Sequence, residues 1–315
     1  MTLPLTLAIH PYDHARNLRP QGIDLAVLDL PIEEIFFRFT KFREWQASEM
    51  SFGKTVALMS QAAPDIVPIP VFPSRVFRHS AIYVGRNGGI GAPKDLEGRK
   101  VGIPEWAQTA GIYVRGLLQH EYGVDLARIQ WFQAGVHQPG RIEKVKLNLP
   151  AGVRITPVPD RTLAQMLESG ALDAAISARD PGGQRLFSNC MEVEAAYFRK
   201  TRIFPIMHVV VLRRDVYERH RWVAMNLFKA FDEAKRASME RVVEIGLSHL
   251  PVPWLAEHGR RWREIAGEDF WPYGIEPNRP TLEAFLQYAF EQGVAQRHLK
   301  VEELFAPETR ESFKI

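Results

Sequence analysis

Asp95-Leu-Glu-Gly-Arg-Lys-Val-Gly-Ile103 is a polar turn that feeds a short apolar run, and Pro104 to Ala110 then leads into a helix-periodic stretch through Tyr113, Leu117 and Leu118 that stops at Gly123. The same alternation returns downstream. Leu167-Glu-Ser-Gly-Ala-Leu-Asp-Ala174 ends a helical stretch, Thr162 to Glu168, at Gly170 and opens a strand, Leu172 to Ser177, that stops at Arg179. Ile129 to Phe132 supplies a further apolar strand, and residues 135–152 are polar with little regularity. Strands and helices alternating at this spacing predict an α/β unit with a largely parallel sheet.

Upstream, Leu5 to Ile9, Asp24 to Leu28, Asp65 to Ile69 and Ser80 to Val84 read as strands, and Pro31 to Arg43 has helix-period apolar residues at Ile32, Ile35, Phe36 and Phe39. The stretch Val71 to His79 is rich in Pro, Arg and Phe. Downstream, Phe204 to Leu212 reads as one apolar strand. Helical patterns follow at Trp222 to Met239, Val242 to Leu250, Trp254 to Ala266 and Thr281 to Gly293, punctuated by prolines.

The chain has 315 residues, 46% of them hydrophobic, which supports about two globular domains. Its net charge of +3 comes from dispersed residues with no Lys/Arg block, so no nucleic-acid partner is expected. One cysteine, Cys190, rules out an intramolecular disulfide framework. The N-terminal stretch lacks a secretory pattern and no apolar run approaches membrane-spanning length, so the expected location is cytoplasmic with no membrane partner.

The turn-strand-helix string at 95–118, with 167–177, resembles the second lobe of type 2 periplasmic-binding-protein folds. That resemblance implies two α/β lobes joined by crossing strands, near His79 to Tyr83 and Pro205 to Val211, with the ligand between them. Lobe 1 would then be discontinuous, residues 1–82 and 206–315 with a helical C-terminal tail, and lobe 2 would be the inserted residues 83–205. Glu49-Met-Ser51, Ile69-Pro-Val-Phe-Pro-Ser-Arg-Val-Phe-Arg-His-Ser80, Ile203-Phe-Pro-Ile-Met-His208, Arg213-Arg-Asp-Val-Tyr217, Leu227-Phe-Lys-Ala-Phe231 and Phe270-Trp-Pro-Tyr-Gly274 narrow the match. Together they closely resemble the 4,5-dihydroxyphthalate decarboxylase family, over nearly the whole chain. The resemblance implies a carboxy-lyase that removes one ring carboxylate to leave protocatechuate. It leaves open a non-catalytic binding or sensing protein of the same fold for an aromatic carboxylate.

Such a substrate carries two adjacent carboxylates, which suit planar bidentate donors. Arg75 and Arg78 flank Phe77 before the first crossing, and in an extended stretch Arg75 and His79 share a side. Arg179 follows a strand at its carboxyl end, where open α/β sheets bind ligands, or makes a surface salt bridge. Gln108 and Thr109 open a helix whose free N–H groups attract anions, although Thr109 could simply cap it. Ser51 resembles a ligand-loop residue or a cap of the following turn. His79 and His208, on the two crossings, are the expected acid/base groups, with Asp13 or Glu49 as the orienting carboxylate and His10 nearby.

Arg115, inside a helix, reads as structural, and Cys190 as an incidental thiol. No cofactor or metal is expected: His10-x-x-x-His14 contains Pro11 and no intervening glutamate, and Gly88-Gly89-Ile90-Gly91 lacks the helix of a phosphate loop. Tyr197, Phe198 and Phe204 could form core or a wall for an aromatic ring. Trp254, Trp262, Phe270 and Trp271 suit either internal packing or the contact of a homo-oligomer.

Overall fold

The computed structural model describes residues 2–85 and 89–311, so the Gly88 end of the Gly88–Gly91 turn lies outside the described residues. The chain begins with β1 (Leu3–Ile9), β2 (Ile23–Asp29), α1 (Ile32–Phe42), β3 (Ala47–Ser51), α2 (Phe52–Met59) and β4 (Ile66–Ile69). It then builds β5 (Ile82–Val84), β6 (Lys100–Ile103), α3 (Thr109–His120), β7 (Gln130–Gly135), β8 (Ile155–Thr162), α4 (Leu163–Glu168), β9 (Ala174–Ile176), β10 (Gln184–Arg185) and α5 (Cys190–Thr201). The last third holds β11 (His208–Arg213), α6 (Arg214–Arg219), α7 (Trp222–Val243), α8 (Leu255–Ala266), α9 (Arg279–Glu291) and α10 (Val301–Leu304).

The strands form two sheets, ordered β2-β1-β3-β11-β4 and β10-β5-β9-β6-β7-β8. In the first, β1 runs parallel to β2 and β3, while β11 is inserted antiparallel between β3 and β4. The second has a parallel run from β9 through β6 and β7 to β8, with β5 antiparallel to β9 and β10 antiparallel to β5 at one side. The chain thus leaves the first sheet after β4, completes the second, and returns through β11.

The outgoing and returning segments pair where they pass. Val76 N donates to Pro205 O at 3.2 Å, Met207 N donates to Ser74 O at 2.8 Å, and Arg75 and Ile206 form an isolated bridge. A large apolar core reaches both sheets, and a smaller cluster of Tyr83, Ala134, Leu163, Met166, Leu167 and Leu172 packs on the second. Phe52 of α2, Tyr113 of α3 and Phe285 of α9 meet there, the Phe52 and Phe285 rings stacked 4.6 Å apart. Burying three aromatic side chains at one junction ties the C-terminal helices to both sheets.

The sequence reading changes in three places. The expected helix Val242 to Leu250 does not form: α7 ends at Val243, and Ile245 and Leu247 are 70% and 71% exposed, so no apolar face is buried to hold another helix. The strand expected from Phe204 starts only at His208, because residues 203–207 are engaged with the outgoing segment. Seven elements are added, β3, α2, β8, β10, α5, α6 and α10. Among the described residues, no helix is long and apolar enough to cross a membrane.

Candidate active site

His208 opens β11 opposite Ser51, the last residue of β3, and Val210 stands opposite Glu49. Residues two apart in a strand share a face, so Glu49, Ser51 and His208 project to the same side. His208 Nδ1 lies 2.6 Å from Glu49 Oε1. The Tyr12 hydroxyl donates to the same oxygen at 2.7 Å, and the His10 backbone N–H donates to Oε2 at 3.0 Å. Glu49 is 0% exposed, and these hydrogen bonds compensate its desolvation. With Nδ1–H directed at the carboxylate, Nε2 is the ring nitrogen left to exchange a proton. Phe36 of α1 packs edge-on against the imidazole at 5.0 Å. Burial, then the charge of Glu49, pushes the Tyr12 phenol well above its ordinary pKa, so Tyr12 remains a hydrogen-bond donor.

Two helix N-termini meet beside this cluster. Ser51, the N-cap of α2, lies 3.0 Å (Oγ to Oγ1) from Thr109, the first residue of α3, and Gly53 N donates to Thr109 Oγ1 at 2.9 Å. Neither Ser51 nor Gln108 uses its side chain to cap its helix, and Gln108 Oε1 is buried without a partner. The paired positive ends favour an anion. A glycine at 53 permits the approach, since a Cβ there would stand 2.8 Å from Ala107 O.

Cations surround the same junction. Glu105, 2% exposed, draws Lys54 of α2 to 3.6 Å, Arg141 to 2.7 Å and Lys144 to 3.8 Å. Glu33 on α1, one turn before Phe36, meets Arg141 at 3.8 Å and Arg179 at 3.4 Å. Burial lowers the Lys54 pKa against the opposing pull of Glu105. These pairs bind α1 and α2 to the loops of the second sheet, at the carboxyl ends of β1 and β3.

The structure therefore brings together Glu49, Ser51, Gln108, Thr109 and His208, with Arg179 at the exposed margin. It takes others elsewhere. Arg75 points its guanidinium to Pro272 O at 3.0 Å and Phe204 O at 2.7 Å, and the segment, extended through the Arg75 bridge, bends at Arg78 instead of staying extended to 79. His79 sits in a 3-10 turn among the rings of Tyr122, Phe187 and Tyr197, its two ring nitrogens unpartnered, and burial lowers its pKa to about 4. Asp13 accepts from Ser238 and Arg241 of α7, both at 2.7 Å, and the carboxylate bonded to His208 is that of Glu49. Arg78 rests against the Met207 sulfur at 2.9 Å, and burial lowers its pKa to about 10.

Arg115 stacks on Trp106 at 3.8 Å inside the core, in keeping with a structural residue. His10 Nδ1 and His14 Nε2 face different carbonyls, Leu30 O at 3.4 Å and Pro73 O at 2.8 Å. Among the described residues, no three His, Cys, Asp or Glu side chains form a metal-ligating group. Sequence reasoning missed Tyr12, Glu33, Phe36, Lys54, Glu105 and Arg141. Tyr12 lies inside the His10–His14 string that was weighed for metal, and Glu33 and Phe36 share a helix face. Arg141, in the irregular segment 135–152, carries no pattern.

No family model matches the chain. A 4,5-dihydroxyphthalate decarboxylase from Comamonas testosteroni is 34% identical over 327 aligned positions, spanning 99% of each protein. A second protein of that name, from Pseudomonas putida, is 35% identical over 185 positions, 57% of this chain and 72% of its own. Among solved structures, the periplasmic aliphatic sulphonate binding protein SsuA from Escherichia coli has a TM-score of 0.54 at 12% identity, covering 98% of this chain and 99% of that one. The desulfurization enzyme DSZB has a TM-score of 0.51 at 17% identity, covering 98% and 97%. These likenesses show a two-lobed α/β fold of the periplasmic-binding-protein type.

Proposed function

The chain belongs to the 4,5-dihydroxyphthalate decarboxylase family and is a carboxy-lyase, and on that premise we propose that it converts 4,5-dihydroxyphthalate to protocatechuate at the Glu49–His208 pair. The observation that carries the assignment is a buried carboxylate bonded to a partly exposed imidazole, beside two helix N-termini that can receive a dianion.

The substrate carboxylates sit against the N-termini of α2 and α3, with Ser51, Gln108 and Thr109 as polar contacts. Lys54 and Arg141 turn from Glu105 toward them, Arg78 leaves its thioether contact to join them, and Arg179 closes the margin from its pairing with Glu33. Each substrate carboxylate is para to one hydroxyl, and the two are equivalent by the symmetry of the molecule. Oxygen lone-pair donation raises electron density at the carbon that bears the departing group.

His208 as imidazolium delivers its Nε2 proton to that carbon, and Glu49 stabilises the cation until transfer. The bond to the carboxylate then breaks, carbon dioxide leaves, and the bonding pair restores the aromatic ring. One proton is consumed, and His208 regains it from solvent. Tyr12 holds Glu49 in place. His79, Asp13 and Arg75 act in this proposal as structural residues.

The test is incubation of the purified protein with 4,5-dihydroxyphthalate in the presence of a chelator, following carbon dioxide and protocatechuate. Stoichiometric release of both is expected. Tight binding without product would instead favour a binding or sensing protein.

A further inference from the structure

A separate cavity of about 270 Å³ lies behind the paired crossing segments, lined by Arg75, Phe198, Arg202, Phe204, Phe270 and Asn278 among others. Its polar groups are incompletely used. Arg75 is 5% exposed and its terminal nitrogens bond only to carbonyls, while its Nε has no partner. Asn278, 1% exposed, spends its amide N–H groups on Pro272 O and Gly274 O, both at 2.9 Å, and leaves Oδ1 without a partner. Asp269 at the cavity is held by Lys235 at 2.8 Å, and no described carboxylate pairs with Arg75 or Arg202. Burial accordingly lowers the Arg75 pKa to about 9.

A buried cation without counter-charge is costly, and the cavity offers space for an anion to supply one. Its walls select the kind of anion. Phe198, Phe204 and Phe270 give it an apolar side, which suits the body of a ring. Arg75 and Arg202 both line it and neither has a described carboxylate partner, which calls for a single carboxylate. We propose that this cavity is a second binding site, distinct from the Glu49–His208 site, for a small aromatic monocarboxylate. The site rests on its own residues and does not depend on the decarboxylase reading.

Calorimetric titration with 4-hydroxybenzoate tests it, on the wild type, Ala266→Trp, Arg75→Met and His208→Asn, each checked for folding by circular dichroism. Ala266 lines the cavity without belonging to its polar set, so the tryptophan fills the space while Arg75 is kept. Saturable binding to the wild type is expected, weakened roughly tenfold or more by Ala266→Trp and by Arg75→Met and unchanged by His208→Asn. Turnover of dihydroxyphthalate by Ala266→Trp should equal that of the wild type. Absence of saturable binding to the wild type, or wild-type affinity retained by Ala266→Trp or by Arg75→Met, would overturn the proposal.

Discussion

His208 and Glu49 stand diagonally across the β3–β11 ladder with Nδ1 and Oε1 2.6 Å apart, and Glu49 has no exposed surface. The ladder register sets this pairing, so the carboxylate is fixed before any ligand arrives. Glu49→Gln keeps the shape and removes the negative charge that faces the His208 ring. We expect kcat to fall by roughly 10²–10³ with a much smaller change in KM, measured by steady-state release of carbon dioxide.

Tyr12 donates to the oxygen of Glu49 that His208 also contacts. A hydrogen bond to a charged group contributes about 1.5–3 kcal/mol, so Tyr12→Phe should lower kcat roughly 10- to 100-fold. Because the phenol is pushed above its ordinary range, its ionisation does not shape the activity profile. The variant should lower the pH–rate curve without displacing its alkaline limb, and a displaced limb would assign Tyr12 a titrating role instead.

His79 carries a prediction about stability. Burial lowers its folded-state pKa to about 4, below the ordinary 6.5 expected of the unfolded chain, so the unfolded form takes up the proton first as pH falls. Stability is therefore full above about pH 6.5 and declines by roughly 3 kcal/mol as pH drops to about 4. Glu194, 4.0 Å away, is itself raised by burial and supplies little counter-charge there. His79→Leu should flatten this part of the curve in urea titrations at successive pH values and leave turnover near the wild-type rate. An unchanged acid slope would remove His79 as its source.

Gly53 tests the junction between the sheets. A methyl group there would meet Ala107 O at 2.8 Å and Ile112 Cδ1 at 3.0 Å, so α2 and the loop before α3 must move apart. Gly53→Ala should cost about 1–3 kcal/mol in denaturant unfolding and raise KM more than it lowers kcat. Unaltered KM would separate this junction from substrate binding.

Much of the fold was legible because its strands are apolar runs and its helices carry a clear period, as in α1 and α3. β8 escaped notice because it is an edge strand: Pro157 and Pro159 are tolerated where a neighbour is missing on one side, and they mask the strand pattern. At the site, Glu49, Ser51, Thr109 and His208 were named from short strings and helix-start logic. Arg75 and His79 do not converge, because residues 75–79 do not keep strand alternation and pass from a single bridge at Arg75 to a 3-10 turn beginning at His79. Tyr12, Lys54 and Arg141 could not be read in advance, since only the meeting of distant loops gives them partners.

The most direct test of proton delivery by His208 is single-turnover decarboxylation of 4,5-dihydroxyphthalate in heavy water, comparing the wild type with His208→Asn. The wild type should release carbon dioxide and form protocatechuate carrying one deuterium at the vacated ring position, while His208→Asn should bind the substrate and form product at least about 10²-fold more slowly. Turnover by His208→Asn at the wild-type rate would contradict the account.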